Sequence, residues 1–190
     1  MAYPDLIIFR HGQTEWNREG IHQGQLDSPL TEMGRQQAEY IGQLLTSFEG
    51  IEAYTAYTSP TGRAKRTGGI ACAAVKKQPI EDSRLMEVHF GDWQGMTTAE
   101  IDEMTGTRKS SDPFMWNFTA PNGESLEELI ERTTGFLDSL VGPAIISTHG
   151  ITSRVLRGVY LGMNAVGMRD LDGGQGCLFH LSANQSRRIG

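Results

Sequence analysis

"IIFRHGQTEWN", residues 7–17, is the stretch whose reading decides the fold. Residues 5–9, "DLIIF", form a short β-rich apolar run, the pattern of a strand buried on both faces of a parallel sheet. The run breaks off at Arg10, His11 and Gly12 and continues polar through Gln13, Thr14, Glu15 and Asn17. A second stretch, "AIISTHG" at 144–150, has the same design and ends in His149 and Gly150. Open α/β sheets bind ligands at the carboxyl ends of their strands, so two histidines leaving separate strands there are placed to face one another.

Working outward, helices and strands alternate. Thr31 stands as an N-cap ahead of Ala38, Ile41, Leu44 and Leu45 at helical spacing. Residues 53–60, "AYTAYTSP", read as a strand stopped by Pro60, and 61–75 as a helix that Gly68 and Gly69 weaken. Residues 79–87, "PIEDSRLME", read as a further strand. The segment 125–141 is the clearest helix: Ser125 and Glu128 form a capping box, and Leu126, Leu129, Ile130, Phe136, Leu137 and Leu140 line one side. "ITSRVLRGVYLG" is helical and "GCLFHLS" closes with a strand. The expectation is a three-layer α/β/α sandwich with a mostly parallel central sheet.

The bulk properties set bounds. At 190 residues, 38% hydrophobic and 21% charged, residues 1–190 read as one domain with a core of its own. A formal charge of −6 disfavours nucleic acid as a partner and makes any cluster of arginines more informative. No apolar run is long enough to span a bilayer. "MAYPDLIIFRHG" has no basic lead and no long apolar region before its first charges, so no signal peptide is expected and the cytoplasm is the default. Cys72 and Cys177 sit among small or apolar neighbours and read as buried fillers. Oligomeric state stays open.

Together, "RHGQTEWN" (10–17), "SPTGRAKRT" (59–67), "EVHFGDWQG" (87–95) and "THG" (148–150), with "DSPLTEMGRQQA" (27–38) and "PNGES" (121–125), resemble the histidine phosphatase superfamily, the phosphoglycerate mutase-like family. The blocks run in family order from residue 6 to about residue 182. The resemblance implies that His11 is the nucleophile, forming a phosphohistidine, with its other ring N–H held by an acceptor. It implies phosphate clamps in Arg10 and Arg63, since a guanidinium fork suits phosphate, and a donor in His149, most useful as a cation. Glu87 matches the general acid that protonates the leaving alkoxide and then activates water. Asn17 matches a phosphate contact, Gln23 and Gly24 a substrate-facing turn, and Gly150, which completes the second strand-end motif, is expected with them among the residues that bind phosphate or substrate. Gly12 is expected to give the backbone room there. No metal and no cofactor are implied, and the partner is a small phosphorylated substrate.

One departure is Thr61-Gly62, where the family has an apolar residue; glycine is expected to loosen the turn that aims Arg63. Residues 105–125 are the expected selectivity region. Arg108 and Lys109 stand there as a grip on a second anion, and Phe114, Trp116 and Phe118 either as an apolar wall or as core packing. Trp16 and Trp93 carry the same two readings. His22 and His89 read as polar rim residues, and His180 as structural. A zinc site lacks local ligand spacing, and a serine hydrolase lacks its G-x-S-x-G elbow. The alternatives to phosphomonoester hydrolysis are mutase-type phosphoryl transfer within a small acid and a non-catalytic phospho-ligand binder. The family's longer mutases carry an insert over the site that this chain has no length for.

Overall fold

The two apolar runs are neighbours at the centre of the sheet. In the computed structural model, which describes residues 3–106 and 112–190, β1 (Leu6–Arg10) and β4 (Ala144–Thr148) pair in parallel, Leu6 opposite Ala144 and Arg10 opposite Thr148. β2 (Thr55–Thr58) runs parallel on the far side of β4, and β3 (Ile80–Glu81) is parallel at that edge. Beyond β1, β5 (Leu178–Ser182) is antiparallel and is followed by antiparallel β6 (Gln185–Ile189). The six strands take the order β3-β2-β4-β1-β5-β6. Thus a parallel centre carries an antiparallel hairpin on one edge.

Alternation along β1 assigns the layers. Ile7 and Phe9 pack with Ile41 and Leu45 of α2 (Glu32–Leu45) and with Ala71 and Cys72 of α3 (Gly62–Ala73). Leu6 and Ile8 face Phe136 and Leu137 of α6 (Leu126–Asp138) and Leu156 and Tyr160 of α7 (Gly150–Tyr160). Helices therefore cover both sheet faces. The expected caps are present: Thr31 accepts from the Gly34 N–H at 3.0 Å, and Ser125 and Glu128 cap each other. Gly68 serves packing, because a Cβ there would lie 3.0 Å from Ser147 Cβ on β4.

A smaller core stands over the carboxyl ends of the strands. It joins α4 (Thr98–Thr105), α5 (Pro113–Trp116) and α8 (Ala165–Asp170) through Phe90, Trp93, Ile101, Phe114, Trp116 and Met168. Both cysteines are buried and free, and burial pushes the Cys72 thiol up to about 12. No helix among the described residues is long and apolar enough to cross a membrane.

Two expectations need correction. The strand read over 79–87 is only two residues long; Asp82 then caps a 3₁₀ turn at Ser83–Leu85, and Glu87 lies beyond it outside any strand. Second, β6 follows the strand read as the last one. Its residues are almost all exposed, so "QSRRI" has no buried face to set an alternating pattern. The hairpin turns on Ala183 and Asn184, both at positive φ (48° and 57°), an Ala-Asn pair in place of the usual glycine-bearing signal.

Candidate active site

His11 follows the last residue of β1, and its backbone N–H donates to the Thr148 carbonyl at 2.9 Å, so the two strand ends are tied together there. Its ring Nδ1 lies 2.8 Å from the Gly12 carbonyl. A carbonyl only accepts, so Nδ1 carries the proton and Nε2 keeps its lone pair. The ring is buried, and burial together with the charges of Arg10 and Arg63 holds its pKa well below the ordinary histidine value. Gly12 gives room, but to α2: a Cβ at 12 would lie 2.2 Å from the Gly34 carbonyl oxygen.

His149 caps β4 and sits edge-on to His11, ring centres 5.2 Å apart. Its Nε2 lies 2.8 Å from Ser59 Oγ and 3.4 Å from Thr61 Oγ1, while the buried Nδ1 has no partner among the described residues. Burial first, then Arg63, His11 and Arg10, push its pKa well below the ordinary value. These surroundings disfavour the cation in the free protein, and in its neutral form the ring has one N–H to donate.

Two guanidiniums, Arg10 and Arg63, bear on this pair, and a third lines the same cavity. Gly150 lets Arg10 lie against the start of α7, where a Cβ would be 3.4 Å from the Arg10 Cζ. Arg63, on the first turn of α3, is 1% exposed and donates to the carbonyls of Gly24 (2.6 Å) and Leu26, and to Asp27 Oδ1 (3.3 Å). The loosening expected of Gly62 is corrected. A Cβ there would lie 2.2 Å from Asp27 Oδ2, so the glycine admits Asp27, whose Oδ1 accepts the Arg63 backbone N–H at 3.1 Å. The third cation, Arg154, sequence reasoning missed. It sits on α7 one turn after Gly150, and the signal was the helical spacing Gly150, Ile151, Arg154 directly after "THG".

Glu87 reaches the N-terminus of α7. Its Oε1 accepts from the Thr152 N–H (3.0 Å), Thr152 Oγ1 (3.0 Å) and the Val88 N–H (3.1 Å), and its Oε2 from the Ile151 N–H alone (3.2 Å). Oε2 thus retains room for a proton. Asn17 belongs to a capping box with Thr14 on α1 (Glu15–Glu19). Its Oδ1 accepts from the Thr14 N–H at 3.2 Å and from Gln175 Nε2 at 3.3 Å, which leaves its amide nitrogen to donate. Gln175, also missed, donates to the His11 carbonyl at 3.0 Å as well. It lies in "LDGGQGC" (171–177), which carries no apolar period to draw the eye.

Arg10, His11, Asn17, Gln23, Gly24, Arg63, Glu87 and Gly150 all line one cavity of about 400 Å³, together with Arg154. His149 stands directly behind His11, fully buried. Within 105–125, Phe114 and Trp116 are core residues, Trp116 stacking on Trp93 at 4.6 Å, and it is Pro113 and Asn117 that meet the cavity. Arg108 and Lys109 lie outside the described residues. His22 belongs to the wall, its Nε2 3.0 Å from Thr98 Oγ1 and its ring against Phe90 and Trp116. His89 Nδ1 instead accepts the Gly91 N–H at 3.0 Å, and His180 packs on Phe48. Among the described residues no three His, Cys, Asp or Glu side chains cluster as a metal-ligand set.

This geometry can be set beside known proteins. A profile of the Histidine phosphatase superfamily (branch 1) matches residues 6–189. The chain belongs to that superfamily. A protein of Serratia proteamaculans (strain 568) named "Probable phosphoglycerate mutase GpmB" is 35% identical over 175 residues, which are 87% of this chain and 79% of that protein. The mycobacterial glucosyl-3-phosphoglycerate phosphatase, solved in complex with VO3, superposes with a TM-score of 0.83 at 29% identity, covering 98% of this chain and 96% of that one. The alpha-ribazole phosphatase of Shigella flexneri shares the fold, with a TM-score of 0.81 at 24% identity over 96% and 93% of the chains. Phosphatases and mutase-like proteins are thus the company this superfamily member keeps, and it is an enzyme of histidine phosphatase type.

Proposed function

We propose that residues 1–190 form a single domain that hydrolyses small phosphomonoesters through a phosphohistidine on His11, without a metal. The observation that carries this reading is the His11 Nδ1 contact to the Gly12 carbonyl, which leaves Nε2 unprotonated inside a cationic cavity. The ester phosphate sits between Arg10, Arg63 and the Asn17 amide, with the His149 Nδ1–H donating to a phosphoryl oxygen and Gln23 and Gly24 beside the substrate. Nε2 attacks phosphorus, the P–O ester bond breaks, and Glu87 gives its proton to the departing alkoxide. The same carboxylate then takes a proton from water, the hydroxide oxygen bonds to phosphorus, the P–N bond breaks, and phosphate leaves.

Neutral His149 suffices for this part. With Nδ1 protonated, Nε2 accepts from the Ser59 hydroxyl, and if the ring takes a second proton opposite the phosphate dianion, the same hydroxyl turns to accept. The test is phosphate release from p-nitrophenyl phosphate and a panel of phosphorylated metabolites in EDTA. Release that survives the chelator and disappears in His11→Ala supports the reading, and release from His11→Ala as fast as from wild type overturns it. The similarity to a protein named as a mutase favours one second reading, phosphoryl transfer within a small acid. Interconversion of 2- and 3-phosphoglycerate on a bisphosphate primer, faster than phosphate release, would establish it.

A further inference from the structure

The cavity is larger than a phosphate needs. A water claims about 30 Å³ in the liquid, and a phosphoryl group displaces only a few waters, so most of the roughly 400 Å³ is left for the rest of the substrate. That outer volume holds a cation with no assigned task. Arg154 lines the cavity, its Nε is buried without a partner, and no described carboxylate pairs with it. The acids that might have neutralised it are engaged elsewhere. Asp172 binds Arg188 and the Gly174 N–H, and Glu87 is held on the start of α7.

Position separates Arg154 from the two phosphate clamps. Arg63 enters the cavity from the first turn of α3 and is bound to Gly24, whereas Arg154 enters it from α7, next to Gly173. Its head is laid against the 171–177 loop, where a Cβ on Gly173 would come within 3.1 Å of both Arg154 Nε and an Arg154 terminal nitrogen. A guanidinium held flat on a glycine, wet on one side and unpaired, is arranged to receive an anion.

Resting on the phosphatase reading, we infer that Arg154 is a specificity-determining residue that binds a second anionic group of the substrate, a carboxylate or a further phosphate, so that the preferred substrates are phosphomonoesters carrying such a group. The ester phosphate occupies the Arg10–Arg63 end and the second anion the Arg154 end. Ester leaving groups without that anion fill the same space but leave Arg154 unpaired.

The experiment compares matched pairs. Glycerol 3-phosphate is set beside its acid, 3-phosphoglycerate, and a sugar monophosphate beside its bisphosphate, with p-nitrophenyl phosphate as the reference, for wild type, Arg154→Gln and Arg154→Lys. A charge-assisted contact of the usual strength predicts that Arg154→Gln loses roughly ten- to a hundredfold in kcat/KM, at KM, on the member with the second anion. The reference ester and the uncharged members change less than about threefold, and Arg154→Lys recovers part of the loss. Which pair responds more separates carboxylate from phosphate. An equal loss on every substrate would make Arg154 a clamp on the ester phosphate, and no loss on any would make it structural; either result overturns the inference. If wild type releases phosphate from none of these compounds, the phosphatase reading has failed independently. Calorimetric binding of 3-phosphoglycerate and glycerol 3-phosphate then decides: a preference for the acid that Arg154→Gln abolishes upholds the subsite, and its absence refutes it.

Discussion

Two strand ends with nearly the same sequence, Arg10-His11-Gly12 and Thr148-His149-Gly150, lie side by side in register and do different things. His11 has its Nδ1 against a backbone carbonyl, which can only accept, so one tautomer is fixed and Nε2 is a permanent acceptor. His149 has its Nε2 against the hydroxyls of Ser59 and Thr61, which donate or accept as needed. The first wiring suits a nucleophile that must never be protonated when substrate arrives. The second suits a donor whose charge follows the ligand. The two differ by what the other ring nitrogen touches, not by the histidine or the strand that carries it.

The largest effect expected is on the fixed side. His11→Ala removes the only proposed nucleophile and should bring turnover to background, whereas His149→Ala should leave measurable activity, lowered roughly 10²–10³-fold for one lost transition-state donor. Equal residual rates in the two variants would erase the distinction between them. Glu87→Gln keeps the Thr152 contacts through its amide oxygen, loses the one from the Ile151 N–H and cannot shuttle the proton, so kcat on poor leaving groups should fall by roughly 10²–10⁴-fold. The activated ester p-nitrophenyl phosphate, whose leaving group needs no proton, should be spared in the first step.

Smaller changes sharpen the comparison. Ser59→Ala removes the hydroxyl behind His149 and should cost roughly ten- to a hundredfold, the size typical of a lost orienting partner, chiefly in kcat and with an altered pH profile. Ser59→Thr should restore part of it; an unchanged profile in Ser59→Ala would mean that the hydroxyl contact is packing alone. Stability supplies the gentlest test. Both histidines are held below the ordinary value of 6.5, so below about that pH the unfolded chain binds protons that the native one refuses. Stability should therefore fall as pH drops through that window, by up to ~1.4 kcal/mol per pH unit for each histidine. Urea titrations of wild type and His149→Ala at pH 7 and pH 5 read this: the loss should be shallower in the variant.

The sequence was most legible where burial is symmetrical. β1 and β4 are apolar over Leu6–Phe9 and Ala144–Ile146 because both faces are covered, and their polar ends mark the ligand side of the sheet. Helices announced themselves through caps such as Thr31 and Ser125. Less legible were elements without a buried face, such as β6, and residues that act on other residues: Gln175 touches the His11 carbonyl and Asn17 across more than 150 positions of chain. Arg154 was visible as a residue but not as a wall of the cavity, because its place depends on how α7 meets the 171–177 loop. The aromatics of 105–125 went to the small core because Trp93 and His22, distant in sequence, wait there to be covered.

The central claim is that His11 Nε2 takes the phosphoryl group. Rapid quenching of the enzyme with a phosphomonoester in EDTA, followed by phosphorus NMR and peptide sequencing by mass spectrometry, tests it most directly. The account predicts a transient phosphohistidine on His11 with phosphorus on Nε2, absent from His11→Ala. Phosphorus on Nδ1, on His149, or on no residue at all while turnover proceeds would contradict it.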